Sequence, residues 1–119
     1  MRFIAMFNTT RINNFVITDF ITDEQYKKIL GDYHDLEWEL SLSGGWYQAI
    51  LFCNKLSEIY QLPYAYLMFK NEKSEIEVED TGKNGVRLPS PKLELDLEQD
   101  ELTEENDKGT KFRVWMYVV

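Results

Sequence analysis

In Ser74-Glu75-Ile76-Glu77-Val78-Glu79 polar and apolar residues alternate from Glu75 onward, and Lys92-Leu93-Glu94-Leu95-Asp96-Leu97-Glu98 repeats the device. Successive side chains leave a strand on opposite sides, so a period of two marks a strand with one buried and one wet face. Each stretch is therefore expected to hold a row of carboxylates about 6.5 Å apart on a packed apolar backing. This decides the fold class, because it makes the last third of the chain β-structure. Thr110–Val119 continues the pattern, with Phe112, Val114, Met116 and Val118 on one face. A Gly/Pro loop (Thr81–Pro91) and an acidic loop (Gln99–Gly109) separate the three segments.

Upstream, Tyr64–Lys70 reads as a strongly apolar strand and Pro63 as the stop of the helix before it. That helix, Trp46–Gln61, carries Ala49, Phe52, Cys53, Leu56, Ile59 and Tyr60 along one stripe at the 3.6-residue period. Leu36–Ser43 alternates as a half-buried strand, and Gly44-Gly45 breaks it. A strand, helix and strand in this order allow a right-handed parallel crossover. Thr22 and Gln25 have the spacing of a capping box, with Asp23 and Glu24 placed to favour the helix dipole. Tyr26, Ile29, Leu30 and Tyr33 then recur at helical spacing. Met1–Phe7 and Asn13–Phe20 read as strands joined by a turn at Asn8, Thr9 and Thr10. The expected architecture is a single α+β domain over residues 1–119. Its mainly antiparallel sheet has about five to seven strands, with two helices packed on one face.

Composition narrows the function classes. The 119 residues are 44% hydrophobic and 14% aromatic, enough for a packed core. Thirteen Lys and Arg against 21 Asp and Glu leave a net charge of −8. The overall field thus opposes direct binding to nucleic acid or to an anionic membrane. The single Cys53 excludes an internal disulfide and a Cys-based zinc site, and the single His34 excludes a His-rich metal site. No apolar run approaches the roughly 20 residues that span a bilayer. The N-terminal apolar stretch ends at Asn8, too early for a secretory signal. A cytoplasmic location is expected, as is the absence of a cofactor or metal.

Acid clustering is the most distinctive feature. Between Glu94 and Asp107 there are eight acids in fourteen positions and no base, and between Glu72 and Asp80 five more against Lys73. Duplex DNA carries one charge per ~1.7 Å of axis, so one such row is sparser than DNA and two adjacent rows come closer. The bland reading is a solvated sheet face whose acids discourage edge-to-edge pairing. The sharper one is a small interaction or inhibitor protein that blocks the basic site of a larger protein, such as a nucleic-acid-binding enzyme. In size and charge the chain is comparable to bacteriophage counter-defence inhibitors, an analogy of composition and not of residues. Its candidate partner-binding residues are Glu75, Glu77, Glu79, Glu94, Asp96, Glu98, Asp100, Glu101, Glu104 and Glu105.

The alternative is a phosphorylated ligand or nucleotide held at a helix N-terminus by Ser43, Gly44 and Gly45, with Trp46 or Tyr47 stacking on it. Neither a P-loop nor a dinucleotide fingerprint is present. Tyr47 and Leu51 share the polar side of their helix, and Trp115 and Tyr117 the face of the last strand opposite Phe112. These four form a partner patch if their faces are wet, and belong to the core if a loop covers them. Cys53 sits on the apolar stripe as a small hydrophobe. No catalytic constellation emerges, and an enzyme is not expected.

Overall fold

Thr9–Ile12 (β1) and Phe15–Thr18 (β2) form an antiparallel hairpin in the computed structural model, which describes residues 7–30, 45–89, 101–102 and 111–117. The turn is Asn13-Asn14 rather than Asn8–Thr10. Asn13 takes φ +56°, a conformation that asparagine tolerates and β-branched threonine resists, so the threonines enter the strand. Trp115–Tyr117 (β5, the last strand) pairs antiparallel with β2, giving the order β1-β2-β5. The N-terminal hairpin is thus closed by residues almost a hundred positions away. Thr18 N–H donates to the Val114 carbonyl (2.9 Å), and Val114 N–H donates to Thr18 Oγ1 (3.0 Å).

Asp23–Leu30 (α1) begins with the expected capping box. Gln25 N–H donates to Thr22 Oγ1 at 3.1 Å, and Thr22 N–H to Gln25 Oε1 at 3.0 Å. Gly45–Ile59 (α2) supplies the centre of the core. Ala49, Ile50, Phe52, Cys53 and Leu56 are all wholly buried, whereas Ile59, at the end of the expected stripe, is exposed. The Phe52 ring lies parallel to Tyr26 of α1 at 5.8 Å and edge-on to Phe112 at 5.5 Å.

Tyr66–Lys70 (β3) and Ile76–Asp80 (β4) make a second, two-stranded antiparallel sheet. Their turn is organised by Asn71, whose Oδ1 accepts the N–H groups of Lys73 (2.9 Å) and Glu75 (3.0 Å). The expectation of one sheet is therefore corrected to two among the described residues, of three and two strands. The reason is the segment between them. Arg87 exchanges both backbone hydrogen bonds with Trp115, at 2.8 and 2.9 Å, but the pairing stops at that one rung. Gly85 permits this junction. A Cβ there would collide with the Pro63 carbonyl oxygen and stand 2.7 Å from Ala65 N. Ser57 Oγ, buried beneath it, accepts the Val86 N–H at 2.9 Å.

Both helices share a core with one face of each sheet. Met116 contributes from one sheet, with Val114 just ahead of β5, while Tyr66, Met68 and Val78 contribute from the other. The radius of gyration is 13.9 Å, against about 13.5 Å for a compact chain of this length. The strands expected at Leu36–Ser43 and Lys92–Glu98, all of Met1–Phe7 but Phe7, and the parallel crossover lie outside the described residues. No helix among the described residues is long and apolar enough to cross a membrane.

Candidate interaction surface

The β3–β4 hairpin sorts its side chains as its alternation requires. Met68 and Val78 are opposite one another and pack on the core. The other face carries Phe69 opposite Glu77 and Leu67 opposite Glu79. Leu67 is 51% exposed, and Glu75, Glu77 and Glu79 are exposed. No lysine or arginine among the described residues lies within ion-pairing distance of these three glutamates. Two carboxylates about 6.5 Å apart in water repel by roughly 0.6 kcal/mol. The face thus mixes a short anionic row with two large apolar side chains.

The next acid along the strand behaves differently. Asp80 Oδ2 accepts from Arg87 Nη1 at 2.5 Å, and Asp80 Oδ1 from Gly82 N–H at 2.7 Å. The Arg87 hydrogen bond holds the Asp80 carboxyl below the ordinary carboxylate range. Arg87 also donates to the Lys83 carbonyl (2.6 Å), so it is part of the scaffold behind the face.

Glu101 leaves the candidate partner-binding set. Its side chain is wholly buried, and its Oε1 accepts from Arg113 Nε at 2.9 Å. Arg113 in turn lies over the Phe20 ring at 4.1 Å, beside Lys111 at 4.3 Å. A single-rung parallel bridge from Glu101 to Lys111 turns this glutamate inward, next to the core residue Leu102. Glu94, Asp96, Glu98, Asp100, Glu104 and Glu105 lie outside the described residues, as do Ser43, Gly44 and His34. Gly45 opens α2. Trp46 packs against the core, and Tyr47 meets it edge-on at 5.3 Å.

Of the two places open to Trp115, a partner patch or the core, the structure gives the core. It is buried by Phe15 across the sheet, with ring centres 4.5 Å apart, and Tyr117 meets the same ring edge-on at 5.5 Å. A small aromatic cluster thus spans β2 and β5, with Phe15 at its centre. Burial also pushes the Cys53 thiol far above its usual range, so no thiolate forms near neutrality.

Beside the hairpin, β3 and α2 enclose a groove of about 190 Å³, lined by Leu51, Asn54, Tyr64, Tyr66, Leu67 and Met68. An ion pair, Lys55 Nζ to Glu58 Oε1 at 3.6 Å, borders it, and the Tyr64 hydroxyl donates to Glu58 Oε2 at 3.1 Å. Asn54 Nδ2 donates to the Tyr66 carbonyl at 3.1 Å, while its buried Oδ1 has no hydrogen-bond partner. Leu51, singled out from the polar side of its helix, belongs to this groove. Tyr64 and Leu67 escape a reading of the sequence, because Tyr64–Lys70 looks uniformly apolar and conceals that these two side chains are exposed.

Comparison with protein-family models, with curated proteins and with solved structures finds no match to this chain. The functional reading therefore rests on the geometry of this surface.

Proposed function

We propose that the chain is a small interaction protein that engages and blocks a basic site of a larger protein, of the kind that otherwise holds nucleic acid. The observation that carries the reading is the outer face of β3–β4. Glu77 and Glu79 stand exposed beside Leu67 and Phe69, without an ion pair to any described lysine or arginine. Leu67, 51% exposed, stands directly opposite Glu79 on this face and offers an apolar contact beside the carboxylates. Apolar anchors flanked by one sign of charge are what a specific interface requires. Exposed ion pairs contribute about 1 kcal/mol or less each, so the acids serve encounter rate and partner choice more than affinity. The role assigned is binding rather than catalysis, consistent with a Cys53 thiol sealed in the core.

The test uses the intact chain and a variant carrying Glu75→Lys, Glu77→Lys and Glu79→Lys together. The native chain should capture its partner from a cell lysate at low salt. Capture should fall at least tenfold in the variant, and fall again at about 1 M salt, where the Debye length is about 3 Å. The variant should unfold at an unchanged temperature. Undiminished capture by the folded variant, with no salt dependence, overturns the reading.

A further inference from the structure

We infer that the outer edge of β4 takes up an extended segment of the basic partner as a third, antiparallel strand, with Lys or Arg opposite Glu77 and Glu79 and apolar residues opposite Ile76 and Val78. The inference rests on the proposed acidic interface and deepens it, giving the bound segment a backbone conformation and a residue pattern. The hairpin ladder shows which backbone groups are open. Asn71 N–H donates to the Glu75 carbonyl and Thr81 N–H to the Ala65 carbonyl, both at 2.9 Å. Hydrogen-bonded pairs in an antiparallel ladder fall at every second residue, so Glu75, Glu77, Glu79 and Thr81 direct their amides at β3. Ile76 and Val78 direct theirs the other way, where their N–H and C=O groups meet no partner among the described residues. The opposite edge of the hairpin differs, because the Tyr66 carbonyl there accepts from Asn54 Nδ2 of α2 at 3.1 Å. An open strand edge is a template for another extended chain.

Charge and register choose the occupant. In an added antiparallel strand, the residues across from Ile76 and Val78 exchange main-chain hydrogen bonds with them. Glu77 and Glu79 then become the non-hydrogen-bonded positions, where facing Cα atoms come within about 4.5 Å and side chains are closest. Lys or Arg is favoured opposite these exposed carboxylates, and Asp or Glu is repelled. Ile76 and Val78, half-buried on the other face, favour β-branched neighbours. A second copy of this chain is a poor occupant, since β4 laid antiparallel on β4 about Val78 sets Glu77 against Glu79.

The test is an amide NMR titration of the full chain with capped Lys-Val-Lys-Val-Lys, whose lysines fall opposite Glu79, Glu77 and Glu75 in this register. The amide protons of Ile76 and Val78 should move downfield and exchange more slowly with solvent as peptide is added. N-methylation separates strand addition from simple charge attraction. A methyl group on either valine nitrogen removes a donor aimed at β4 and should weaken binding about tenfold. A methyl group on the central lysine nitrogen, which points away from β4, should leave affinity nearly unchanged. Glu-Val-Glu-Val-Glu should not bind at millimolar concentration.

Equal effects of the two methyl positions overturn the edge assignment. So do shifts that miss Ile76 and Val78, or no binding at millimolar Lys-Val-Lys-Val-Lys. Protection of these two amides that grows with protein concentration before peptide is added also overturns it, giving the edge to a second copy. If the methyl positions stay distinct but Glu77→Lys with Glu79→Lys does not weaken binding, the edge stands and the acidic reading fails. If that charge reversal abolishes binding while both methyl positions act alike, the acidic reading stands and the edge fails.

Discussion

Glu101 and the pair Glu77 and Glu79 are the same residue type in the same acid-rich half of the chain, yet they end in opposite surroundings. Glu101 is wholly buried and held by Arg113, whereas Glu77 and Glu79 are exposed on the open face of β3–β4. The difference comes from what each segment pairs with. β4 has a neighbour in sequence, β3, so its alternation decides which residues face out. Glu101 sits on a single parallel rung with Lys111, and an arginine twelve residues away reaches it. A buried carboxylate is tolerated only with such a partner, so this acid is structural while the exposed ones stay solvated.

The largest break in that contrast is expected at Glu101. Glu101→Ala strands Arg113 in a mostly buried setting and should cost about 3–5 kcal/mol in urea unfolding, against less than about 0.5 kcal/mol for Glu77→Ala. Equal, small losses at both positions would show that the two acids do not differ in structural role. Next in size is the junction between the sheets. Gly85→Ala forces a methyl group into the Pro63 carbonyl and should cost about 1–3 kcal/mol, with the hairpin amides exchanging faster with solvent. Thr22→Ala removes the N-cap of α1 without removing a hydrogen bond to either acid. A loss of about 1 kcal/mol there calibrates an ordinary local defect.

Asp80 sits between the two extremes, paired but 59% exposed at its side chain. Arg87 lowers its native pKa below the unfolded value near 3.9, so its contribution is present above that value. The contribution is lost as pH falls through the lowered native pKa. Solvent screening keeps it below about 1 kcal/mol. Asp80→Asn should therefore flatten a small part of the acid limb of a stability–pH curve, and an unaltered curve would show that the Arg87 contact does not persist in solution.

Much of the local structure is legible in the residue order. Thr22 and Gln25 announce their capping box, and the Ile76/Val78 against Glu77/Glu79 alternation separates core from surface. The stripe from Ala49 to Leu56 identifies the buried side of α2. Other features turn on competition that a local pattern does not resolve. Asn13-Asn14 takes the hairpin turn from Asn8–Thr10 because asparagine accepts a positive φ at lower cost than threonine. The sequence leaves Trp115 open between a wet face and the core until Phe15, a hundred positions earlier, is placed over it. The groove is the least legible feature, since Asn54 and Leu67 acquire a joint meaning only when α2 lies against β3.

By itself the sequence determined the periodic elements, the α+β class and the outward row on β4. Each of these follows from backbone geometry acting over fewer than ten residues. Only the tertiary structure decided that the sheet divides at Arg87, that Glu101 turns inward to Arg113, and that β3 and α2 leave a cleft with an orphaned amide oxygen. Those outcomes depend on which distant segments meet, and contact between them is selected by the shape and charge of the whole core rather than by any local spacing.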